Sequence, residues 1–127
     1  MQLRTGPSSA YKETNAATSI MDATPHQLTS LLLKAALDNL SVATGAIERD
    51  NVLLRTEAIR KAMAIIAELQ STLDKEHGGD LAEQLDALYE FSTLKLIEAN
   101  LEKDVHKLKA VKEVLGDIYQ GWQSIQP

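Results

Sequence analysis

The sequence predicts an all-α protein, an antiparallel up-down four-helix bundle over residues 22–127 preceded by a mobile N-terminal arm over residues 1–21. Three observations carry this prediction. Apolar residues recur with the period of a helix from Leu28 to Trp122, as amphipathic helices require. Polar or glycine punctuation interrupts that pattern at Glu48-Arg49-Asp50-Asn51, at Gly78-Gly79 and between Asn100 and Asp104, leaving four segments. Short connections between helices of similar length favour antiparallel neighbours.

The first boundary is the sharpest. In Asp22-Ala23-Thr24-Pro25-His26-Gln27-Leu28, the Thr24 hydroxyl is placed to accept from a free backbone N–H three residues on, and Gln27 reaches back to close a capping box. Pro25 falls at the first helical position, where its missing N–H costs nothing and its fixed φ suits the helix. Ahead of this boundary, residues 1–21 mix Ser, Thr, Asn, Ala and Gly with few large apolar groups, the composition of an arm without a core of its own. Tyr11, Ile20 and Met21 are its exceptions, and an aromatic in such a tail either docks on the folded body or meets a partner.

In the first helix Leu28, Leu31, Leu32, Ala35, Ala36, Val42, Ala43, Ala46 and Ile47 fall on one broad face, expected to be core. Leu33, Leu37 and Leu40 lie on a neighbouring strip. Its plainer reading is a second packing contact; the sharper one is a partner groove. The second helix is expected to bury Ala58, Ile59, Ala62, Met63, Ile65, Ile66, Leu69 and Leu73, and to end at the double glycine. Asp80 and Glu83 supply a capping pair for the third, whose Leu81, Leu85, Leu88, Tyr89, Phe91, Leu94, Ile97 and Leu101 spread over much of its circumference. Such a helix is central or carries a face for something else. Asn100 is the expected C-cap and Asp104 the next N-cap. The fourth helix aligns Leu108, Val111, Leu115, Ile118, Tyr119 and Trp122.

At 127 residues with 44% hydrophobic content the chain has enough apolar material for one domain with a continuous core. It contains no cysteine, which excludes disulfides, thiolate metal sites and a cysteine nucleophile and is compatible with a reducing compartment. No apolar run approaches the roughly 20 residues of a membrane span, and the N-terminus lacks the apolar core of a signal peptide. A soluble, unprocessed, cytoplasmic protein is expected. Thirteen basic against eighteen acidic residues, a net charge of -5, argue against phosphate-driven nucleic-acid binding. Lys103, Lys107, Lys109 and Lys112 are interrupted by Glu102, Asp104 and Glu113, the pattern of a solvated helix face.

No catalytic constellation is present. Metal carboxylate bundles need Glu-x-x-His pairs, which this chain lacks. His26, His77 and His106 read as surface or helix-end residues, and neither a nucleotide loop nor a nucleophile elbow occurs. The expectation is a protein without enzymatic activity, metal or cofactor.

With these elements in place, the chain resembles the flagellin-specific export chaperones of the FliS family. The resemblance runs from Ala10-Tyr11 to Trp122. It is carried by Tyr11, Met21-Asp22-Ala23-Thr24-Pro25-His26-Gln27-Leu28, Lys61-Ala62-Met63-Ala64-Ile65-Ile66, Gly78-Gly79-Asp80, Leu88-Tyr89, Glu98-Ala99-Asn100-Leu101 and Trp122, in that order. The family usually has an aromatic-Asp-Gly sequence where this chain has Leu33-Lys34-Ala35. It has Tyr-Met-x-Arg-Arg where this chain has Phe91-Ser92-Thr93-Leu94-Lys95.

The resemblance implies a cytoplasmic bundle that binds the disordered C-terminal segment of flagellin, prevents premature polymerisation and delivers flagellin to the type III export gate. A client of amphipathic helix and extended chain would use helix-in-groove packing. The partner-binding set expected on this reading is Tyr11, Ile20, Leu33, Leu37, Leu40, Tyr89 and Leu94, with no nucleic acid and no membrane insertion. The alternative is a non-catalytic adaptor, or a homo-oligomer using the same apolar groove for itself.

Overall fold

The computed structural model describes residues 22–125. Four helices follow in order: α1 (Pro25–Glu48), α2 (Val52–Ser71), α3 (Gly79–Glu102) and α4 (Val105–Ser124). Each packs on its neighbours in sequence, and α1 closes the ring against α4. The expected all-α, up-down four-helix bundle is what forms. The arm expected over residues 1–21, with Tyr11 and Ile20, lies outside the described residues.

The start of α1 is built as its residues dictate. The Gln27 backbone N–H donates to Thr24 Oγ1 at 3.1 Å, the Thr24 N–H donates to Gln27 Oε1 at 3.0 Å, and Pro25 opens the helix. At its end Asp50 takes the left-handed conformation, φ 56°. The N–H groups of Asp50 and Asn51 then return to the carbonyls of Ile47 and Ala46, satisfying the last turn. Asn51 is at once the N-cap of α2, its side chain accepting from the Leu54 N–H. The α3–α4 corner repeats the device. Lys103 is left-handed with φ 54°, the Asp104 N–H donates to the Ala99 carbonyl, and Asp104 caps α4 through the N–H groups of His106 and Lys107. Asn100, expected as the C-cap, is instead helical, and its side-chain oxygen accepts from Arg55 Nε at 3.0 Å.

The α2–α3 connection departs from expectation. α2 ends at Ser71, several residues before the double glycine, and Thr72 caps it. The glycines belong to the entry of α3. A Cβ on Gly78 would meet the Asp74 carbonyl oxygen at 2.5 Å and the Ala82 side chain at 2.7 Å, and Gly79 has φ +56°. Both positions therefore need glycine, one for space and one for conformation. Asp80 lies inside the first turn and makes no cap bond, where its charge still complements the helix N-terminus.

The largest correction concerns α1. Leu33, Ala36, Leu40, Ala43 and Ala46 are fully buried, so the strip of Leu33 and Leu40 is core, with Leu37 half-buried against it. Leu31 and Val42, expected inside, are exposed, while Leu28 and Ala35 are half-buried. Both strips have helical period. The buried face joins Leu33 and Leu40 to Ala36, Ala43 and Ala46, the three alanines expected to be core, and small side chains let helix backbones come close. Ser92, fully buried in α3, donates to the Leu88 carbonyl at 2.8 Å and so carries no unmet donor.

Candidate partner-binding surface

α3 buries Ala82, Leu85, Tyr89, Ser92, Leu96 and Ala99 on one face. It packs on α2 and α4, so its outer side is left without a neighbour among the described residues. That side is apolar. Phe91, Leu94, Ile97 and Leu101, spaced three, three and four residues apart, are exposed, Leu101 by 80%. The wide apolar circumference of α3 thus marks an outward face and not a central helix. The Arg55–Asn100 hydrogen bond sets the start of α2 beside the end of α3, and there Leu53, 84% exposed, stands near the same end of the bundle as Leu101. Isolated exposed leucines are ordinary, but a run of them along one helix marks a contact surface.

Charges line the α4 side of this face. Lys95 lies 5.7 Å from the centre of the Phe91 ring and 3.3 Å from Glu98 Oε1. Lys107 of α4 reaches Glu98 at 2.7 Å and Glu102 at 3.0 Å. Hydrogen bonds from Lys107 and then Lys95 hold the Glu98 carboxyl below its ordinary range, and Glu98 and Glu102 in turn raise the Lys107 ammonium. These half-exposed pairs fix geometry more than they stabilise the fold.

At the bundle end where α1 begins, a cleft of about 550 Å³ runs between α1 and α4, lined by His26, Leu31, Lys34 and Tyr119 among others. Beside it His26 and Trp122 stack with ring centres 5.0 Å apart. The Trp122 indole N–H donates to the His26 carbonyl, while His26 Nε2 lies 2.9 Å from the Trp122 carbonyl. His26 is therefore a half-buried clasp residue at the helix end where its position had placed it. Among the described residues no three His, Asp or Glu side chains converge as metal ligands, and no helix is long and apolar enough to cross a membrane.

Of the residues expected to meet a partner, Leu94 is 54% exposed at the middle of the α3 face. Leu33, Leu40 and Tyr89 are buried and present no free surface, and Leu37 is half-buried. Phe91, Ile97 and Leu101 belong to the face and were visible only as surplus apolar positions on α3. Leu31, on the cleft, was hidden because its strip looked like core.

A sequence model described as flagellar protein FliS matches residues 7–127. The chain belongs to the FliS family. It is 38% identical over 115 residues to the flagellar secretion chaperone FliSB of Pseudomonas aeruginosa, covering 91% of each chain. With the flagellar secretion chaperone FliS of Vibrio cholerae it shares 33% identity over 122 residues, covering 96% of this chain and 90% of the relative. With that of Salmonella typhimurium it shares 34% over 119 residues, 93% and 88% of the two chains. Each alignment spans nearly the whole FliS relative, so bundle and outward face are compared as one unit.

Proposed function

We propose that this protein is a cytoplasmic export chaperone that holds the C-terminal segment of flagellin, keeps it from polymerising prematurely and passes it to the flagellar type III export apparatus. The observation that carries this reading is the unpartnered apolar face of α3, Phe91, Leu94, Ile97 and Leu101, on a bundle whose relatives are named flagellar secretion chaperones. A disordered segment that turns helical on this face would bury apolar surface worth roughly 25 cal/mol per Å², against an ordering cost of about 1–2 kcal/mol per fixed residue. Such binding is firm yet releasable, as delivery requires. The role needs no catalytic group.

Co-expression with a flagellin C-terminal segment followed by size exclusion is the direct test, with a stable complex as the expected result. Leu94→Asp should weaken that complex at least tenfold without loss of helical circular dichroism. Failure of the wild-type protein to form the complex would end this reading. A concentration-dependent dimer that flagellin does not dissociate would favour the self-associating alternative.

A further inference from the structure

Glu83, Ala87, Glu90, Leu94, Ile97 and Leu101 follow one another along α3 at alternating steps of four and three residues, and every one of them is exposed. The mean step is about 3.5 residues, the repeat at which one helix keeps a continuous seam turned toward another. An extended chain repeats its side chains about every two residues and has no use for such a line. The seam therefore suits a helical occupant, and at the rise of an α-helix it is about 27 Å long.

Chemistry divides the seam in two. Leu94, Ile97 and Leu101 make its second half apolar, while Glu83 and Glu90 flank the small Ala87 in the first. No Lys or Arg precedes Lys95 on this helix, and Asp80 adds a further charge in its first turn. Among the described residues the α3 carboxylates in ion pairs are Asp86, Glu98 and Glu102. Glu83 is thus left without a cation, and Glu90 meets only the Gln70 amide, at 3.3 Å. A second copy of the chain would fit poorly here. Full antiparallel overlap of two seams sets Glu83 against Leu101 and Glu90 against Leu94, and parallel overlap sets each glutamate against itself. Covering a carboxylate with leucine, or with its like, is unfavourable.

We infer that the seam takes one amphipathic helix of the client, with leucine-type residues against Leu94, Ile97 and Leu101 and lysine or arginine against Glu83 and Glu90. Laid antiparallel to α3, such a helix carries its cations toward its own C-terminus, where its dipole also favours them. That the helix belongs to flagellin rests on the export-chaperone reading; its cationic, helical character rests on the seam.

The test uses the full chain and labelled probes read by fluorescence anisotropy. These are the flagellin C-terminal segment, a designed helical peptide of about three heptads with leucines on one half of its seam and lysines on the other, and a twin with glutamate for each lysine. The wild type should bind flagellin and the lysine peptide, both more weakly as salt is added, and should bind the glutamate twin about tenfold less tightly. Glu83→Lys with Glu90→Lys, at exposed positions, should invert the preference between the designed peptides and weaken flagellin about three- to tenfold. Glu83→Gln with Glu90→Gln should bind the two peptides alike. Equal binding of the designed pair by the wild type, or flagellin held as tightly by the lysine variant, would overturn the inference and leave the chaperone reading standing. A peptide of residues 1–21 that displaces the lysine probe would give the seam to the chain's own N-terminal segment, and a wild-type dimer that the probe dissociates would give it to a second copy; either would overturn the inference too. Lysine-peptide binding lost in Glu83→Lys with Glu90→Lys, with no flagellin bound by the wild type, would instead count against the chaperone reading and leave the chemistry of the seam in place.

Discussion

His26 and Trp122, 96 residues apart, hold each other by two reciprocal side-chain-to-backbone contacts of 2.9 Å and a stack inclined by only 14°. The first turn of α1 is thereby tied to the last turn of α4, and the ring of four helices is closed at the end where α1 begins and α4 ends. Trp122→Phe should remove the indole N–H that donates to the His26 carbonyl and cost about 1 kcal/mol. Urea melts would show it, and an unchanged midpoint would mean the clasp is ornamental.

The capping box at Thr24 gives a cleaner local measurement. Thr24→Ala should destabilise the fold by about 1 kcal/mol and leave client binding intact, since Thr24 lies away from the outer face of α3. Equal stability would place the working start of α1 elsewhere.

Lys103 is held in a left-handed conformation that side chains disfavour. Lys103→Gly should therefore raise stability, by about 0.5–1 kcal/mol after the entropy glycine adds to the unfolded chain. A loss of stability would show that the Lys103 side chain makes a contact that outweighs the strain.

The Lys107 network ties stability to pH in a defined direction. The Glu98 carboxyl is depressed in the folded state by Lys107 and Lys95, so its contribution is present above the ordinary carboxylate value of 4.5 and is lost as pH falls through the lower folded value. The Lys107 ammonium is raised, so its contribution is present below the ordinary lysine value and is lost as pH rises through the folded one. The difference in denaturation midpoint between the wild type and Lys107→Met should thus be constant near neutral pH and close as pH falls below about 4. A gap that persists in acid would trace the effect to packing of the lysine stem.

Core and surface on α1 can be separated by one pair of variants. Leu40→Ala should cost about 2–5 kcal/mol, the range for emptying a buried leucine site. Leu31→Ala, on the exposed strip, should cost no more than about 1 kcal/mol. The reverse ranking would restore the face assignment read from periodicity.

The sequence by itself determined the elements. Apolar period, the Thr24-Pro25-Gln27 signature, the Asp104 cap and the lack of any ligand or nucleophile set are local properties, written in residues a few positions apart. They sufficed for four helices in a bundle, for one helix with more apolar surface than packing needs, and for the family resemblance. What only the tertiary structure decided is which stripe of a doubly apolar helix turns inward. On α1 the strips of Leu31 and Leu33 have the same period, and packing turns Leu33 and Leu40 inward while Leu31 and Val42 stay exposed, a choice set by the helices around α1 and by nothing within it. The breaks around Asp50 and just before Asp104 were legible, but the left-handed backbone at Asp50 and Lys103 was not, because neither residue requires it as a glycine would announce it. Tyr89 lost its place on the partner surface for the same reason that α3 gained its face. Burial belongs to the neighbours a side chain is given, and those neighbours are chosen by the packing of all four helices together.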